Sequence, residues 1–138
     1  MLDLYKDIII DHGNNPRNKY IMKDYTHTFN GHNYLCGDSL IIYLKIYENN
    51  IKSISFSGAG CVISVASASL MTIVLKNKSI DSSINIFEYF KSIIVSGADI
   101  NEKFSNLNVL AGVRKFPSRV KCATLIWNTF YGAVNVNK

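Results

Sequence analysis

The chain has 138 residues, of which 48% are hydrophobic and 18% are charged, and its formal net charge is +5. This length favours one domain with one core, and the apolar content is enough to build that core, which excludes a disordered polyelectrolyte. The lysines are dispersed, so the charge does not indicate a nucleic-acid partner, although a mild positive field would help an acidic protein to dock.

The sequence contains no apolar run approaching the roughly 20 residues that are needed to span a membrane. Acidic residues occur early, at Asp3 and Asp7, and the N-terminus lacks the layout of a signal peptide. We therefore expect a soluble, cytoplasmic protein with no membrane partner.

The first quarter of the chain predicts a helix and an arm. Apolar side chains recur at three- and four-residue spacing over residues 2–12, which indicates an amphipathic helix that packs on its own domain. Gly13 and Pro16 end this pattern. Residues 13–35 are rich in Asn, Tyr and His and predict an irregular arm, with a further strand over residues 24–34 as the alternative.

Two strands follow the arm. Apolar residues occupy every second position over residues 39–47, and residues 51–57 repeat the pattern. Residues 48–50, Glu-Asn-Asn, have the chemistry of a turn. The sequence therefore predicts an antiparallel hairpin.

Helical spacing of apolar residues predicts four further helices, over residues 62–76, 82–96, 104–113 and 117–134. Asp81 can cap the second of these helices, and Gly97 can terminate it. Because the strands precede a run of helices, the order predicts an α+β fold and not a doubly wound parallel sheet. No repeat, linker or boundary divides residues 1–138.

The chain has three cysteines. Three cannot all pair in one monomer, and cytoplasmic thiols stay reduced, which leaves metal, catalytic or inert buried cysteines. In an extended segment, side chains at i and i+2 point to the same side, so Cys36 and Asp38 can aim a thiolate and a carboxylate at one point. With Cys61 and Cys122 they make four ligands for zinc or for a small iron–sulfur cluster.

The other two cysteines also have neighbours that favour the thiolate. Cys61 follows a Gly-x-Gly segment at a strand-to-helix junction, where free N–H groups lower a thiol pKa. Cys122 follows Arg119 and Lys121 near the start of the last helix, and adjacent cations act in the same direction. Burial as a small apolar residue is the alternative for both. The Gly-x-Gly segment lacks the third glycine of a dinucleotide-binding motif.

The three histidines do not add a clear ligand. His12 lies on the apolar stripe of the first helix, which favours a core or capping role. His27 and His32 lie in the arm, where either can reach a metal, although solvent is the commoner environment.

Four motifs follow one another over nearly the whole chain: Asn15-Pro16-Arg17-Asn18, Cys36-Gly37-Asp38, the segment from Gly58 to Ser69, and the segment from Lys121 to Trp127. Together they resemble the NifU/IscU family of iron–sulfur cluster assembly proteins. Three further features resemble the SufU branch of that family. They are an insertion around residues 97–115, the segment Phe116-Pro117-Ser118-Arg119, and Lys121 where IscU scaffolds place a histidine.

The resemblance implies an α+β fold with a small antiparallel sheet and helices packed on one side, as one NifU N-terminal-like domain over residues 1–138. It implies a zinc site of Cys36, Asp38, Cys61 and Cys122. It also implies a sulfur acceptor, at most a sulfurtransferase, that takes persulfide sulfur from a SufS-like, pyridoxal-phosphate cysteine desulfurase and works with downstream iron–sulfur assembly proteins.

Within this site we predict that Cys36 is the sulfur acceptor. It lies on a loop and can leave a metal at the least cost, whereas Cys61 and Cys122 are anchored at helix starts. Arg119 and Lys121 are expected to offset part of the negative charge of the ligands. Asp38 is a hard carboxylate ligand among three soft thiolates, and we expect it to keep the bound metal exchangeable.

Two other functions remain open from the sequence. The same ligands can carry a [2Fe–2S] cluster that is assembled on the protein and passed to apo proteins, and the absence of a histidine at position 121 argues against this scaffold role. A purely structural zinc protein that binds the desulfurase without taking sulfur is the third hypothesis.

Overall fold

A three-stranded antiparallel sheet organises the chain in the computed structural model, which describes residues 3–136 and the side chains of residues 4–135. The strands lie side by side in the order β1 (His27–Asn33), β2 (Asp38–Tyr47) and β3 (Asn50–Ala59). The predicted hairpin is confirmed as β2 and β3. The arm expected over residues 13–35 is only partly irregular, because it contains β1, the strand that the sequence offers as an alternative.

Five α-helices lie among the described residues: α1 (Asp3–Asn14), α2 (Val62–Leu75), α3 (Ile80–Ile94), α4 (Ser105–Asn108) and α5 (Pro117–Val136). Short 3₁₀ turns at Glu102–Phe104 and Ala111–Lys115 flank α4, so the helix predicted over residues 104–113 is wrong as one continuous element. Asn and Gly are weak helix formers and are frequent in this stretch. The predicted helix start at residue 2 lies outside the described residues.

The cap of α3 differs from the prediction. The helix begins two residues earlier than expected, and the hydroxyl of Ser79, not the carboxylate of Asp81, accepts a hydrogen bond from the Ser82 backbone N–H at 3.1 Å. Asp81 lies in the first turn, where its charge is favourable beside the helix N-terminus. At the other end, Gly97 adopts a φ of +69°, which turns the chain away from the helix as predicted.

Alternate residues of β2 and β3 form one apolar face. Ile42 lies opposite Phe56 and Leu44 lies opposite Ile54, and each of these side chains is at most 2% exposed. Helices α2 and α5 contact the sheet and each other. The predicted α+β architecture, a small antiparallel sheet packed against several helices, is therefore confirmed.

Two irregular segments cover the outer edge of β3. The N–H of Phe56 donates to the carbonyl oxygen of Asn18 at 3.1 Å, and the N–H of Ile51 donates to the carbonyl oxygen of Lys78 at 2.8 Å. These contacts occupy backbone groups that an exposed edge strand would offer to another chain.

Among residues 3–136, every helix lacks the combination of length and apolar character that crossing a membrane requires.

The arm before β1 is fixed to α2 by a buried hydroxyl. Ser69 accepts a hydrogen bond from the Arg17 backbone N–H at 2.9 Å, and its Oγ lies 2.7 Å from Nδ1 of His12. Since the hydroxyl accepts from Arg17, its own hydrogen is free for the imidazole nitrogen. Arg17 also forms a 2.7 Å ion pair with Asp11, so one serine joins the first helix, the arm and α2.

This network predicts a loss of stability in mild acid. Burial lowers the pKa of His12 below its ordinary value of 6.5. The positive charge of Arg17 lowers this pKa further, whereas the negative charge of Asp11 raises it. The folded chain therefore binds this proton less readily than the unfolded chain. The contribution to stability is fully present above the unfolded-state pKa of about 6.5 and is lost as the pH falls from there through the lower pKa of the folded chain.

The variant His12→Asn keeps an acceptor for the Ser69 hydroxyl but cannot be protonated. We expect the free energy of unfolding, measured by urea denaturation, to fall less between pH 7 and pH 5 in this variant than in the wild-type protein. Identical pH profiles for the two proteins would contradict the assignment.

Candidate metal centre

Cys36 lies in the turn between β1 and β2. Residues 34–37 form this turn, with Asn33 paired opposite Asp38, and Gly37 has a φ of +70°, which a glycine adopts without strain. The expectation of one extended segment from Cys36 to Asp38 is therefore wrong, because Cys36 and Gly37 belong to the turn that reverses the chain between Asn33 and Asp38. Their side chains nevertheless converge.

Three candidate ligands meet beside this turn. The ligand atoms of Cys36, Asp38 and Cys122 lie within 4.8 Å of one another. The two thiols are in direct contact, with 3.1 Å between their sulfur atoms. Two soft sulfurs and one carboxylate oxygen in this arrangement can hold a metal ion.

The Asp38 carboxylate is enclosed and fully hydrogen-bonded. The residue is 2% exposed, and its two carboxylate oxygens accept three hydrogen bonds. The Cys61 backbone N–H donates to Oδ1 at 2.8 Å, and the Ser64 hydroxyl donates to Oδ2 at 2.6 Å. Asn33 Nδ2 completes the set at 3.3 Å from Oδ2.

Gly60 allows this approach. A Cβ atom at that position would lie 2.8 Å from Asp38 Oδ1, closer than real Cβ contacts, and a tight 3.1 Å from the Ser64 Cβ. The carboxylate can therefore reach the start of α2 only because this position has no side chain.

Cys61 is the N-cap residue of α2, as the strand-to-helix junction predicts. Burial, the largest single influence, raises the pKa of its thiol. Hydrogen bonding with the side chain and backbone N–H of Ser64 and with the Cys122 thiol outweighs burial and the negative charge of Asp38, so the net pKa of Cys61 lies below its ordinary value. Its sulfur is not one of the three ligand atoms within 4.8 Å of one another, and its membership of the site stays a prediction.

Cys122 is fully buried in α5. Burial raises the pKa of its thiol to about 12, and the contacts with Cys36 and Cys61 act in the same direction. The expectation that adjacent cations favour a thiolate at this position is therefore wrong for the metal-free protein. The loss of water around the sulfur outweighs the hydrogen bond from Arg119.

The two basic residues differ in position. Arg119 Nη1 lies 3.9 Å from Cys36 Sγ, and a hydrogen bond to Cys122 together with the charges of the cysteines raises the pKa of Arg119 further. Lys121 is exposed. Among residues 4–135, Arg119 hydrogen-bonds to the thiols and Lys121 does not. The charge compensation expected from Lys121 therefore stays a prediction.

Neither arm histidine forms part of the cluster found among the described residues. His27 Nδ1 lies 2.8 Å from the Thr26 hydroxyl, and His32 Nδ1 lies 3.1 Å from the Ser39 hydroxyl. His12 contacts Ser69, in agreement with the predicted core role.

The helices that carry Cys61 and Cys122 are joined beside the site. The buried hydroxyl of Ser67, on α2, donates to the carbonyl oxygen of Ala123 at 2.6 Å and accepts from the Trp127 indole N–H at 3.1 Å. Because Ala123 directly follows Cys122, this contact fixes the position of that sulfur relative to the start of α2.

Two polar residues of the site, Asn33 and Ser64, are absent from the sequence-based prediction. Asn33 Nδ2 lies 3.6 Å from Cys122 Sγ, and the Ser64 hydroxyl lies 3.4 Å from Cys61 Sγ. Ser64 stands three residues after an N-cap, the usual position for a side chain that reaches back to a helix start. The sequence indicates Asn33 only when the length of the β1–β2 turn is known, because Asn33 then pairs with Asp38.

Residues 4–123 match the family model described as the NifU-like N terminal domain. The chain belongs to this family. The match includes all three cysteines and Asp38, so the resemblance drawn from the four motifs is confirmed.

Curated relatives cover most of the chain. The zinc-dependent sulfurtransferase SufU of Bacillus subtilis is 37% identical over 126 residues, which make up 90% of this chain and 84% of the relative. The iron–sulfur cluster assembly scaffold protein IscU of Streptococcus pyogenes serotype M1 is 33% identical over 95% of this chain and 82% of the relative.

Solved structures support the fold. The structure of FiSufU from Fervidobacterium islandicum AW-1 superposes with a TM-score of 0.86 over 94% of this chain and 95% of that chain, at 24% identity. The N-terminal NifU-like protein of Brucella abortus gives a TM-score of 0.86 over 96% of this chain and 92% of that chain, at 17% identity. At these identities the likeness concerns the fold alone.

The different surroundings of the thiols predict an order of reactivity. In the metal-free protein we expect iodoacetamide to alkylate Cys61 at least 10-fold faster than Cys122, because alkylation requires an accessible thiolate. Cys61 is half-buried with a lowered pKa, whereas Cys122 is fully buried with a pKa of about 12. Timed labelling followed by peptide mass spectrometry measures both rates, and equal rates would refute this description of the thiols.

Proposed function

We propose that this protein is a zinc-dependent sulfur acceptor in iron–sulfur cluster assembly, acting as one domain over residues 1–138. The observation that carries the proposal is the convergence of two thiols and a buried carboxylate at a turn, with one of those thiols, Cys36, partly open to solvent. The relative named a zinc-dependent sulfurtransferase supports the same function.

The donor set fits zinc. Zinc in proteins prefers thiolate sulfur and accepts a carboxylate oxygen, usually with four ligands in all. Cys36, Asp38, Cys61 and Cys122 would hold the ion. When bound, zinc keeps the thiols deprotonated and limits their oxidation, which matters most for Cys122 because burial otherwise holds its proton in place.

Cys36 is the residue best suited to accept sulfur. It lies in a four-residue turn beside a glycine, whereas Cys61 and Cys122 belong to helices that Ser67 joins. The Cys36 sulfur can therefore move with the least disturbance of the fold.

The transfer itself is a thiol–disulfide exchange. The Cys36 thiolate attacks the outer sulfur of a cysteine persulfide on the donor protein. The donor's sulfur–sulfur bond breaks as a new one forms on Cys36, and the donor cysteine leaves as a thiolate. No external oxidant is consumed. Arg119, with Nη1 at 3.9 Å, stabilises the negative charge on Cys36 before the attack.

We propose a SufS-like, pyridoxal-phosphate cysteine desulfurase as the donor, and iron–sulfur assembly proteins of the cytoplasm as the recipients of the sulfur. The surroundings of Cys36 suit contact with a protein. Tyr34 and Leu35, in the same turn, are 88% and 74% exposed, and Phe116 near Arg119 is 54% exposed. The net charge of +5 favours an acidic partner surface.

A [2Fe–2S] scaffold is the second candidate, and the similarity to the scaffold protein IscU favours it. Anaerobic reconstitution with iron and sulfide distinguishes the two functions. A visible absorption spectrum, followed by transfer of the cluster to an apo acceptor, would support the scaffold and count against a dedicated sulfur acceptor.

The variant Cys36→Ser tests the acceptor assignment. We expect desulfurase turnover in the presence of the variant to fall to the level of the desulfurase alone, and mass spectrometry to detect no persulfide on the variant. Zinc content is measured in parallel, and circular dichroism confirms the fold. A zinc-loaded Cys36→Ser protein that still accepts sulfur at the wild-type rate would overturn the assignment.

A further inference from the structure

The side-chain amide of Asn33, at the end of β1, contacts two of the candidate metal ligands. Asn33 is the last residue of β1, lies opposite Asp38 in the hairpin and is 8% exposed. Its Nδ2 lies 3.3 Å from Asp38 Oδ2 and 3.6 Å from Cys122 Sγ. Because an amide nitrogen carries two hydrogens, it can donate to both groups at once.

We propose that Asn33 is a positioning residue that keeps Asp38 and Cys122 together as ligands while Cys36 leaves the site to carry sulfur. This inference rests on the proposed function and adds a residue to its machinery. It concerns the state in which Cys36 has left the site.

The contacts of Cys36 show why such a residue is needed. The Cys36 sulfur lies 3.1 Å from Cys122 Sγ, so its departure removes a close partner of that buried thiol. The carbonyl oxygen of Asn33 accepts from the Cys36 N–H at 3.3 Å, but the side-chain hydrogen bonds of Asn33 go to Asp38 and Cys122. These side-chain bonds do not depend on the position of the Cys36 sulfur. They start from the end of a strand, which is held by the β1–β2 ladder.

The chemistry of an amide also suits this position. The ligand set is rich in negative charge, and hydrogen-bond donors reduce the repulsion between its members. A neutral amide donates without taking up a proton. Ser64 likewise contacts both Asp38 and a cysteine, in this case Cys61. Each helix-borne cysteine therefore shares one hydrogen-bonding partner with the carboxylate.

The variant Asn33→Leu removes the donor while keeping a similar side-chain volume. We expect its zinc affinity, measured by competition with a chelator, to fall about 10- to 100-fold, the usual effect of losing a residue that orients metal ligands. The matched control is Asn30→Leu, since Asn30 is exposed on the same strand. The control should retain the wild-type affinity.

A second readout separates positioning from a general effect on the fold. With cobalt(II) in place of zinc, the thiolate-to-metal absorption band of Asn33→Leu should move to longer wavelength, because the Cys122 sulfur loses a hydrogen bond and becomes a stronger donor. Asn33→Ala, which removes the donor without a branched side chain, should show the same shift.

The decisive measurement follows metal release during sulfur loading by the desulfurase. We expect wild-type protein and Asn30→Leu to retain zinc while Cys36 carries the persulfide, and the Asn33 variants to release it to a colorimetric chelator. If Asn33 variants match the control in affinity, cobalt spectrum and retention, this inference fails alone. If wild-type protein takes up no sulfur, the proposed function fails with it.

Discussion

The buried carboxylate of Asp38 is the constraint on which the site depends. A carboxylate that is only 2% exposed needs hydrogen-bond donors, and the fold supplies three of them from three different places. They come from the backbone at the start of α2, the Ser64 hydroxyl and the Asn33 amide. Satisfying this one group therefore brings the β1–β2 turn and the start of α2 together, and Cys36 and Cys61 come with them.

Two of the cysteines are held at helices, and the third lies in a turn. Helices α2 and α5 are joined through Ser67 and Trp127, directly beside Cys122. Cys36 belongs to a turn with a left-handed glycine and exposed neighbours. The proposed release of Cys36 from a metal depends on this difference, because a uniformly rigid site could not present its sulfur to another protein.

Much of this arrangement could be predicted from the sequence, because the relevant signals are local. Alternation gives the hairpin, helical spacing gives α2 and α5, and the Gly-x-Gly segment indicates that Cys61 begins a helix. The remaining features depend on contacts between distant segments. Burial raises the pKa of the Cys122 thiol and outweighs the neighbouring cation that lowers it. Asn33 contacts Cys122 only after β1, the turn and α5 have assembled. The turn at Cys36 depends on the register of β1 with β2, which the arm's weak strand pattern leaves open.

We propose that Asp38 and the three cysteines form one metal site, although the Cys61 sulfur lies outside the closest three-atom group. X-ray absorption spectroscopy of the zinc-loaded protein counts the ligands of that site. We expect one zinc ion per chain with three sulfur ligands at about 2.3 Å and one oxygen ligand at about 2.0–2.2 Å. Two sulfur ligands, with nitrogen ligands from histidine in the remaining positions, would contradict it.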